Sequence, residues 1–384
     1  MEKSNKSEPE ISIVLPCRNE EKAIRRVLEE CLKVVRENNY SAEVIVSDSS
    51  SDKSPEIVKE MMQTNKAIRL VEHGLFGYGN AYLEGFKVAR GKFIVMLDAD
   101  GSYDPLCIPK FVRKLREGND LVMGNRFNEG MKKGAMPKSH KLIGNPVLSA
   151  ILRLFFGSKV KDAHCGMRGI KKDVLEGLRL KAKGMEFASE MIVKAEDSNL
   201  RIAQFDIPYH KRIGESKLRT FQDGWRHLRF LLLFSPLFLF FIPGLLLLFF
   251  GLVSGTVFYF SLDFLGRTFD FHPMFVSSLL VVLGYQLVAF SVFSRTYAFT
   301  HFGFGGGWLS KVYEKVSLES FILIGFLFIF FGALVFSLIL LDWVLEGFGA
   351  LNQVKNSIVA STCIMLGFQT IFSGFMLSVL GIKE

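Results

Sequence analysis

The stretch Gly91-Lys-Phe-Ile-Val-Met-Leu-Asp-Ala-Asp-Gly-Ser-Tyr-Asp-Pro105 decides the fold. Its first half, Phe93–Leu97, is a short apolar run rich in β-forming residues, the pattern of a strand buried on both faces. The run stops at Asp98-Ala99-Asp100-Gly101. Two carboxylates one residue apart at the end of a buried strand are costly without a positive counter-charge. In an open α/β sheet, that end of the strands is where ligands bind. An all-oxygen pair beside a phosphate-bearing ligand suits a hard divalent ion, Mg²⁺ or Mn²⁺. Taken alone, the same pattern also fits a strand running into a solvated Asp/Gly turn.

Upstream, three more strand patterns alternate with helical ones. Ile11–Leu15 runs into Pro16-Cys17-Arg18-Asn19-Glu20, and Glu43–Ser47 runs into Asp48-Ser-Ser-Ser-Asp52. Ile68–Glu72 leads into the glycine-rich His73–Asn80. Helical spacing falls at Ala23–Glu37, at Pro55–Gln63 and from the glycine loop to Ala89. This alternation predicts an α/β fold with a mostly parallel sheet and right-handed crossovers. Polar residues at three strand ends then cluster on one edge, as a nucleotide-sized cleft. The Gly77/Gly79 loop follows the third strand and lacks dinucleotide spacing. Gly79 reads as a helix N-terminus able to approach a phosphate, or as an ordinary turn.

Beyond Pro105 the pattern gives a helix at Ile108–Arg116, a strand at Asp120–Gly124 and then Asn125-Arg126-Phe127. Asn128–Ser139 is a lid or a surface loop, Leu142–Phe156 is helical, and Asp162–Gly169 is a polar loop before a short β run. Glu186 and Glu190 lie four apart on a helix opening at Gly184. Either one facing the cleft would serve as a base or an acceptor orienter, with surface or capping roles as the alternative. The last strand is expected at Ile207–Arg212.

Composition divides the chain near residue 229. From residue 230 onward there are six Lys/Arg and seven Asp/Glu, so the overall +9 leaves +10 on the first 229 residues. Four charge-free windows then predict spans at about 238–260, 273–294, 320–341 and 357–380. The expected organisation is a disordered 1–10, a catalytic domain over 11–211, a basic amphipathic interfacial segment over 212–236 and a membrane domain over 237–384. The basic segment interleaves Lys217, Arg219, Arg226, His227 and Arg229 with Phe221, Trp225 and Leu228, a composition suited to an anionic bilayer surface. Arg295, Lys311 and Lys315 in one loop place the catalytic domain and both termini in the cytoplasm by the positive-inside rule. No nucleic-acid motif is present. Five scattered cysteines indicate neither a disulfide framework nor a zinc site. The N-terminus does not read as a signal peptide.

Pro16-Cys-Arg-Asn-Glu20, Asp48-x3-Asp52, Leu97-Asp-Ala-Asp100, Gly124-Asn-Arg126, Cys165-Gly-Met-Arg168 and Gly214-Glu-Ser-Lys217 occur in an order that resembles family-2 glycosyltransferases of GT-A fold. The subgroup most similar is the polyprenyl-phosphate (dolichol-phosphate) sugar synthases. That resemblance implies an NDP-sugar donor and a polyprenyl or dolichyl phosphate acceptor. It implies that Pro16, Arg18, Asn19, Glu20, Asp48 and Asp52 line the nucleotide and that Asp98 and Asp100 hold the metal. Arg126, Arg168, Arg212, Ser216 and Lys217 would contact phosphates. Arg18 stands where Tyr is common in the family, and Ser102-Tyr103 stands where mannose synthases often have Gln-His. These departures leave the base, the sugar and the third metal ligand open.

The chemistry agrees. A nucleotide-diphosphate leaving group needs charge neutralisation, and a lipid phosphate is already an anion that needs no strong base. His140, His164, His210 and His227 then read as loop or surface residues. A processive polysaccharide synthase is the nearest rival, but Gln222-Asp-Gly-Trp-Arg226 reverses the Trp and Arg of that family's motif. An inactive membrane scaffold has no need of the paired acids and cations. Homo-oligomerisation is left open.

Overall fold

The computed structural model describes residues 8–127, 131, 132, 135, 136, 144–214, 220–262, 269–302 and 318–381. The front of the chain builds one seven-stranded mixed sheet. Its strands are β1 (Ile11–Cys17), β2 (Ala42–Asp48), β3 (Ile68–Glu72), β4 (Phe93–Met96), β5 (Leu121–Asn125), β6 (Arg168–Lys171) and β7 (Ile202–Asp206), in the order β3-β2-β1-β4-β6-β5-β7. The four strands expected to run parallel do so, and β6 is antiparallel to both its neighbours. Cys17 pairs with Asp48, and Val14 with Met96, so the polar ends of β1, β2 and β4 lie side by side.

The last strand differs from expectation. It is β7, paired parallel with β5, and Ile207–Arg212 is not part of it. Pro208 has no N–H to give a ladder, so pairing stops before it. Beyond it, Tyr209 makes only isolated bridges to Tyr103 and Met131.

Strand alternation sends Ile13, Leu15, Val44, Val46 and Val95 into the larger core cluster. Helices α1 (Ile24–Glu37), α2 (Ser54–Thr64) and α4 (Ile108–Arg116) cover that face with Ile24, Leu28, Val58 and Phe111. On the opposite face lies α3 (Tyr78–Val88), where a Cβ on Gly85 would sit 2.5 Å from Val14 Cγ1. Then come α5 (Asn145–Phe156), α6 (Lys172–Leu178), α7 (Phe187–Asp197) and α8 (Thr220–Leu233). On α8, His227, Phe230 and Leu231 are buried while Trp225 is exposed.

The chain separates into two compact units between Leu231 and Leu232. The second holds α9 (Ile242–Tyr259), entered by a π-helical turn at Leu237–Phe241, followed by α10 (His272–Phe302), α11 (Leu318–Leu345) and α12 (Val354–Gly381). Four helices long and apolar enough to cross a membrane are thus present among the described residues, at 237–259, 272–300, 318–345 and 354–381. The last three outrun the expected spans because a charged residue such as Arg295 does not stop a helix. Glycines bring α11 and α12 into backbone contact: a Cβ on Gly325 would lie 2.7 Å from Gly367 O. Hydroxyl pairs Ser278–Thr362 (2.6 Å) and Tyr285–Thr370 (2.7 Å) join α10 to α12. Lys311 and Lys315 lie outside the described residues.

Candidate active site

The loops after β1 and β2 are sewn to each other at the sheet edge. Asn19 N donates to Ser50 Oγ (2.7 Å), Ser51 N to Asn19 Oδ1 (2.8 Å), Glu20 N to Ser54 Oγ (2.9 Å) and Glu21 N to Asp52 Oδ2 (3.1 Å). Asp48 is buried and accepts from Ser50 through both oxygens. Pro16 at the end of β1 is half-buried, and Arg18 and Asn19 are exposed. The Arg18 guanidinium lies over the Phe76 ring, 4.6 Å from its centroid. This rim is flat, polar and aromatic.

Behind it, Asp98 and Asp100 leave β4 as expected. Gly101 makes the turn at φ +73°, and Ser102 N donates to Asp100 Oδ1 (2.9 Å). Asp98 Oδ1 accepts from Tyr78 Oη (3.0 Å) and Tyr82 Oη (3.3 Å), both on α3. Burial and then the Asp100 charge push the Asp98 carboxyl up to about 7, against the pull of Tyr78, Tyr82 and Arg126. Arg126 offsets only part of that rise. Among the described residues no cluster of three metal-ligating side chains forms. Two carboxylates short of a counter-charge fit an ion that takes its other ligands from water and phosphate, as Mg²⁺ does.

Arg212 stands nearest as a cation. Its Nη2 is 3.1 Å from Glu20 Oε1 and 3.4 Å from Asp100 Oδ2. His210 N donates to Ser102 O (2.9 Å) and Ile213 N to Asp100 O (2.8 Å), so residues 209–213 are strapped across the carboxylate turn. Arg126 is nearby but committed: Nε and Nη2 hold the Asp162 carboxylate at 2.7 and 2.8 Å, and the guanidinium lies over the Tyr209 ring.

Three residues expected at the ligand surface are occupied otherwise. Arg168, 1 % exposed, gives Nε to Cys165 O, Nη1 to Ala188 O and Nη2 to Ala163 O, at 2.8–2.9 Å. Its charge ties the 163–165 loop to α7 rather than reaching outward. Glu190, 2 % exposed, accepts from Lys181 N (3.0 Å) and Ala182 N (2.8 Å) and pairs with Lys194 (3.0 Å). It anchors the 181–182 backbone instead of facing the cleft. Gly79 donates its N–H to Gly184 O, and Asn80 N donates to Lys183 O, so the first turn of α3 has carbonyls where a phosphate was expected. The glycine is there for closeness: a Cβ would lie 2.1 Å from Ala182 O. Ser216 and Lys217 lie outside the described residues.

The sequence reading missed Tyr78 and Tyr82, and it gave Tyr103 and Gly166, which it named, no place beside Asp98. A Cβ on Gly166 would come within 2.8 Å of Asp98 Oδ2 and 3.1 Å of Tyr103 Oη. The tyrosines at 78 and 82 carried one signal, a four-residue spacing on the helix beside the carboxylate strand. His164 lies in a loop as expected, whereas His227 is buried on α8 and is neither loop nor surface. Their rings meet edge-on at 4.4 Å, with Ser189 Oγ 3.4 Å from His164 Nε2 and 3.0 Å from His227 Nδ1.

A mixed sheet with paired carboxylates at the end of its fourth strand, followed by apolar helices, is the build of a membrane-linked sugar transferase. The family profile for glycosyl transferase family 2 matches residues 12–179, and that for the family-2 C-terminal transmembrane region matches 292–381. The low-salt glycan biosynthesis hexosyltransferase Agl6 of Haloferax volcanii is 37 % identical over 97 % of this chain and 89 % of its own length. A dolichyl-phosphate hexose transferase of the same organism is 29 % identical over 56 % of this chain and 89 % of its own. A dolichol-phosphate mannosyltransferase of Pyrococcus furiosus is 29 % identical over 57 % of this chain and 62 % of its own. Among solved structures, glucosyl-3-phosphoglycerate synthase of Mycobacterium tuberculosis aligns with a TM-score of 0.46 at 24 % identity, over 58 % of this chain and 79 % of that one. The chain belongs to the family-2 glycosyltransferases. It is a glycosyltransferase with a mixed seven-stranded sheet and a transmembrane region.

Proposed function

We propose that the protein transfers a hexose from a nucleotide-diphosphate sugar to a polyprenyl or dolichyl phosphate at the cytoplasmic face of the membrane. Relatives named as a hexosyltransferase, a dolichyl-phosphate hexose transferase and a dolichol-phosphate mannosyltransferase support the hexose and the lipid phosphate. The orientation is supported by the loop lysines and arginines read by the positive-inside rule. The observation that carries the reading is the sheet edge itself, where Asp98 and Asp100 follow β4 beside the polar ends of β1 and β2 and Arg212 lies 3.4 Å from Asp100 Oδ2.

The loops holding Arg18, Asn19, Glu20, Asp48 and Asp52 form the rim against which base and ribose rest. Asp98 and Asp100 would hold Mg²⁺ or Mn²⁺, which supplies charge neutralisation to the donor diphosphate. Arg212, beside Asp100, and Lys217 further along the same segment add cationic charge for donor or acceptor phosphate. A phosphate oxygen of the acceptor bonds to the anomeric carbon while the bond from that carbon to the diphosphate oxygen breaks. The electron pair leaves with the nucleoside diphosphate and the configuration inverts. The acceptor needs no deprotonation, which agrees with histidines held by Ser189 rather than by the carboxylates.

The test is a panel of radiolabelled GDP-mannose, UDP-glucose and UDP-N-acetylglucosamine with polyprenyl phosphate and Mn²⁺ or Mg²⁺. Label is expected to enter the organic phase with one hexose donor, to stay out with EDTA, and to stay out for Asp100→Asn. Label released only as free sugar, or incorporated as a polymer, would overturn the proposal.

A further inference from the structure

The back of the site is a wall of phenols. Tyr78 and Tyr82 stand one turn apart on α3, and both hydroxyls donate to the same atom, Asp98 Oδ1. Their rings are locked by packing. Tyr82 stacks on Phe187 at 5.5 Å and 8°, while Tyr78 meets Tyr82 edge-on at 5.1 Å and Phe187 at 6.4 Å. Gly79 between them lets α3 close against the 182–184 backbone, which fixes the height of both hydroxyls. On the other side the Gly166 backbone approaches Oδ2, where a Cβ would lie 2.8 Å away, and its N–H donates to Tyr103 Oη (2.7 Å).

An Asp side chain on a strand end otherwise has free rotation about χ1 and χ2, and either oxygen can turn toward a ligand. Here one oxygen has two donors on rigid rings and the other has none from the phenols. We propose that Tyr78 and Tyr82 are positioning residues: by holding Oδ1 they fix the direction in which Asp98 presents Oδ2 to a divalent ion. The proposal rests on Asp98 and Asp100 being the metal ligands. Partners of this kind, one bond behind a ligand, are worth about 10–100-fold in metal affinity.

The test uses the full-length chain in detergent with a nucleoside diphosphate, titrated with Mn²⁺ while electron paramagnetic resonance reads the free ion. Tyr78→Phe and Tyr82→Phe are each expected to raise the Mn²⁺ Kd about tenfold, and the double variant about a hundredfold. Transfer by the variants should return as Mn²⁺ is raised, with donor KM at saturating Mn²⁺ unchanged. A thermal unfolding midpoint measured beside each titration separates folding from binding. If both variants lower the midpoint but leave the Mn²⁺ Kd within about twofold of wild type, the phenols are structural and the proposal is overturned. If the wild-type chain takes up no Mn²⁺ with either UDP or GDP, the metal-ligand reading of Asp98 and Asp100 falls, and the positioning role with it.

Discussion

At the scale of single residues, the same side-chain type does opposite jobs according to what surrounds it. Arg212 is partly exposed and sits between two carboxylates, so it is free to trade partners. Arg168 is fully buried among backbone carbonyls, where burial lowers its pKa from the usual guanidinium value. Such a group is held by the directions of its donors, and a lysine cannot reproduce three of them. Arg168→Lys is therefore expected to cost about 3 kcal/mol of stability through unpaired buried carbonyls. Urea unfolding followed by tryptophan fluorescence measures that loss. Donor KM in the folded fraction should stay at the wild-type value. A raised KM with unchanged stability would instead make Arg168 a phosphate contact.

At the scale of elements, α8 buries His227 beside Phe230 and Leu231. His227 is 5 % exposed, and burial, then the Arg168 charge, lower its pKa to about 4. His164 beside it is lowered too, by burial, by His227 and by Arg126 and Arg168. The unfolded imidazole binds a proton near 6.5, the folded one only near 4. The contribution of His227 is therefore complete above pH 6.5 and lost as pH falls from 6.5 toward 4. The loss reaches about 3 kcal/mol at the acid end of that window. Protection factors across α8, after correction for the pH dependence of intrinsic exchange, should fall between pH 7 and pH 5, and His227→Gln should remove most of that dependence. The sequence did not disclose this contact. Spacing within α8 marks which face is apolar, but the partner of His227 lies 38 residues back at Ser189. What was legible was local: the apolar run ending in Asp98 and Asp100, and the strand–helix alternation that lines up Cys17, Asp48 and Met96. The partners of Gly79, Arg168 and Glu190 were not legible for one reason. Each is satisfied by backbone from another element, and no period of 2 or 3.6 reports that.

At the scale of the molecule, two cores of different kinds share one chain. The first unit is a sheet with helices on both faces. The second is a set of helices whose contacts run through glycines and hydroxyl pairs. Helices of the second kind keep their backbone hydrogen bonds inside each helix and persist in detergent. Urea titration of the detergent-solubilised protein should therefore show a first transition that removes tertiary signal and part of the far-ultraviolet ellipticity, with a large helical residue left. One transition removing all ellipticity would mean that the two units unfold as one.

The nucleotide rim and the phenol wall differ in how much change they tolerate. Arg18, Asn19 and Phe76 are exposed, whereas nothing larger than hydrogen fits at Gly79 or Gly166 without displacing backbone or Asp98. On the proposed role of the rim, substitutions at the front of the cleft would retune which base is tolerated, while the rear stays fixed. Donor preference would then be an adjustable trait mounted on an unyielding chassis, and a redesign should leave α3 alone.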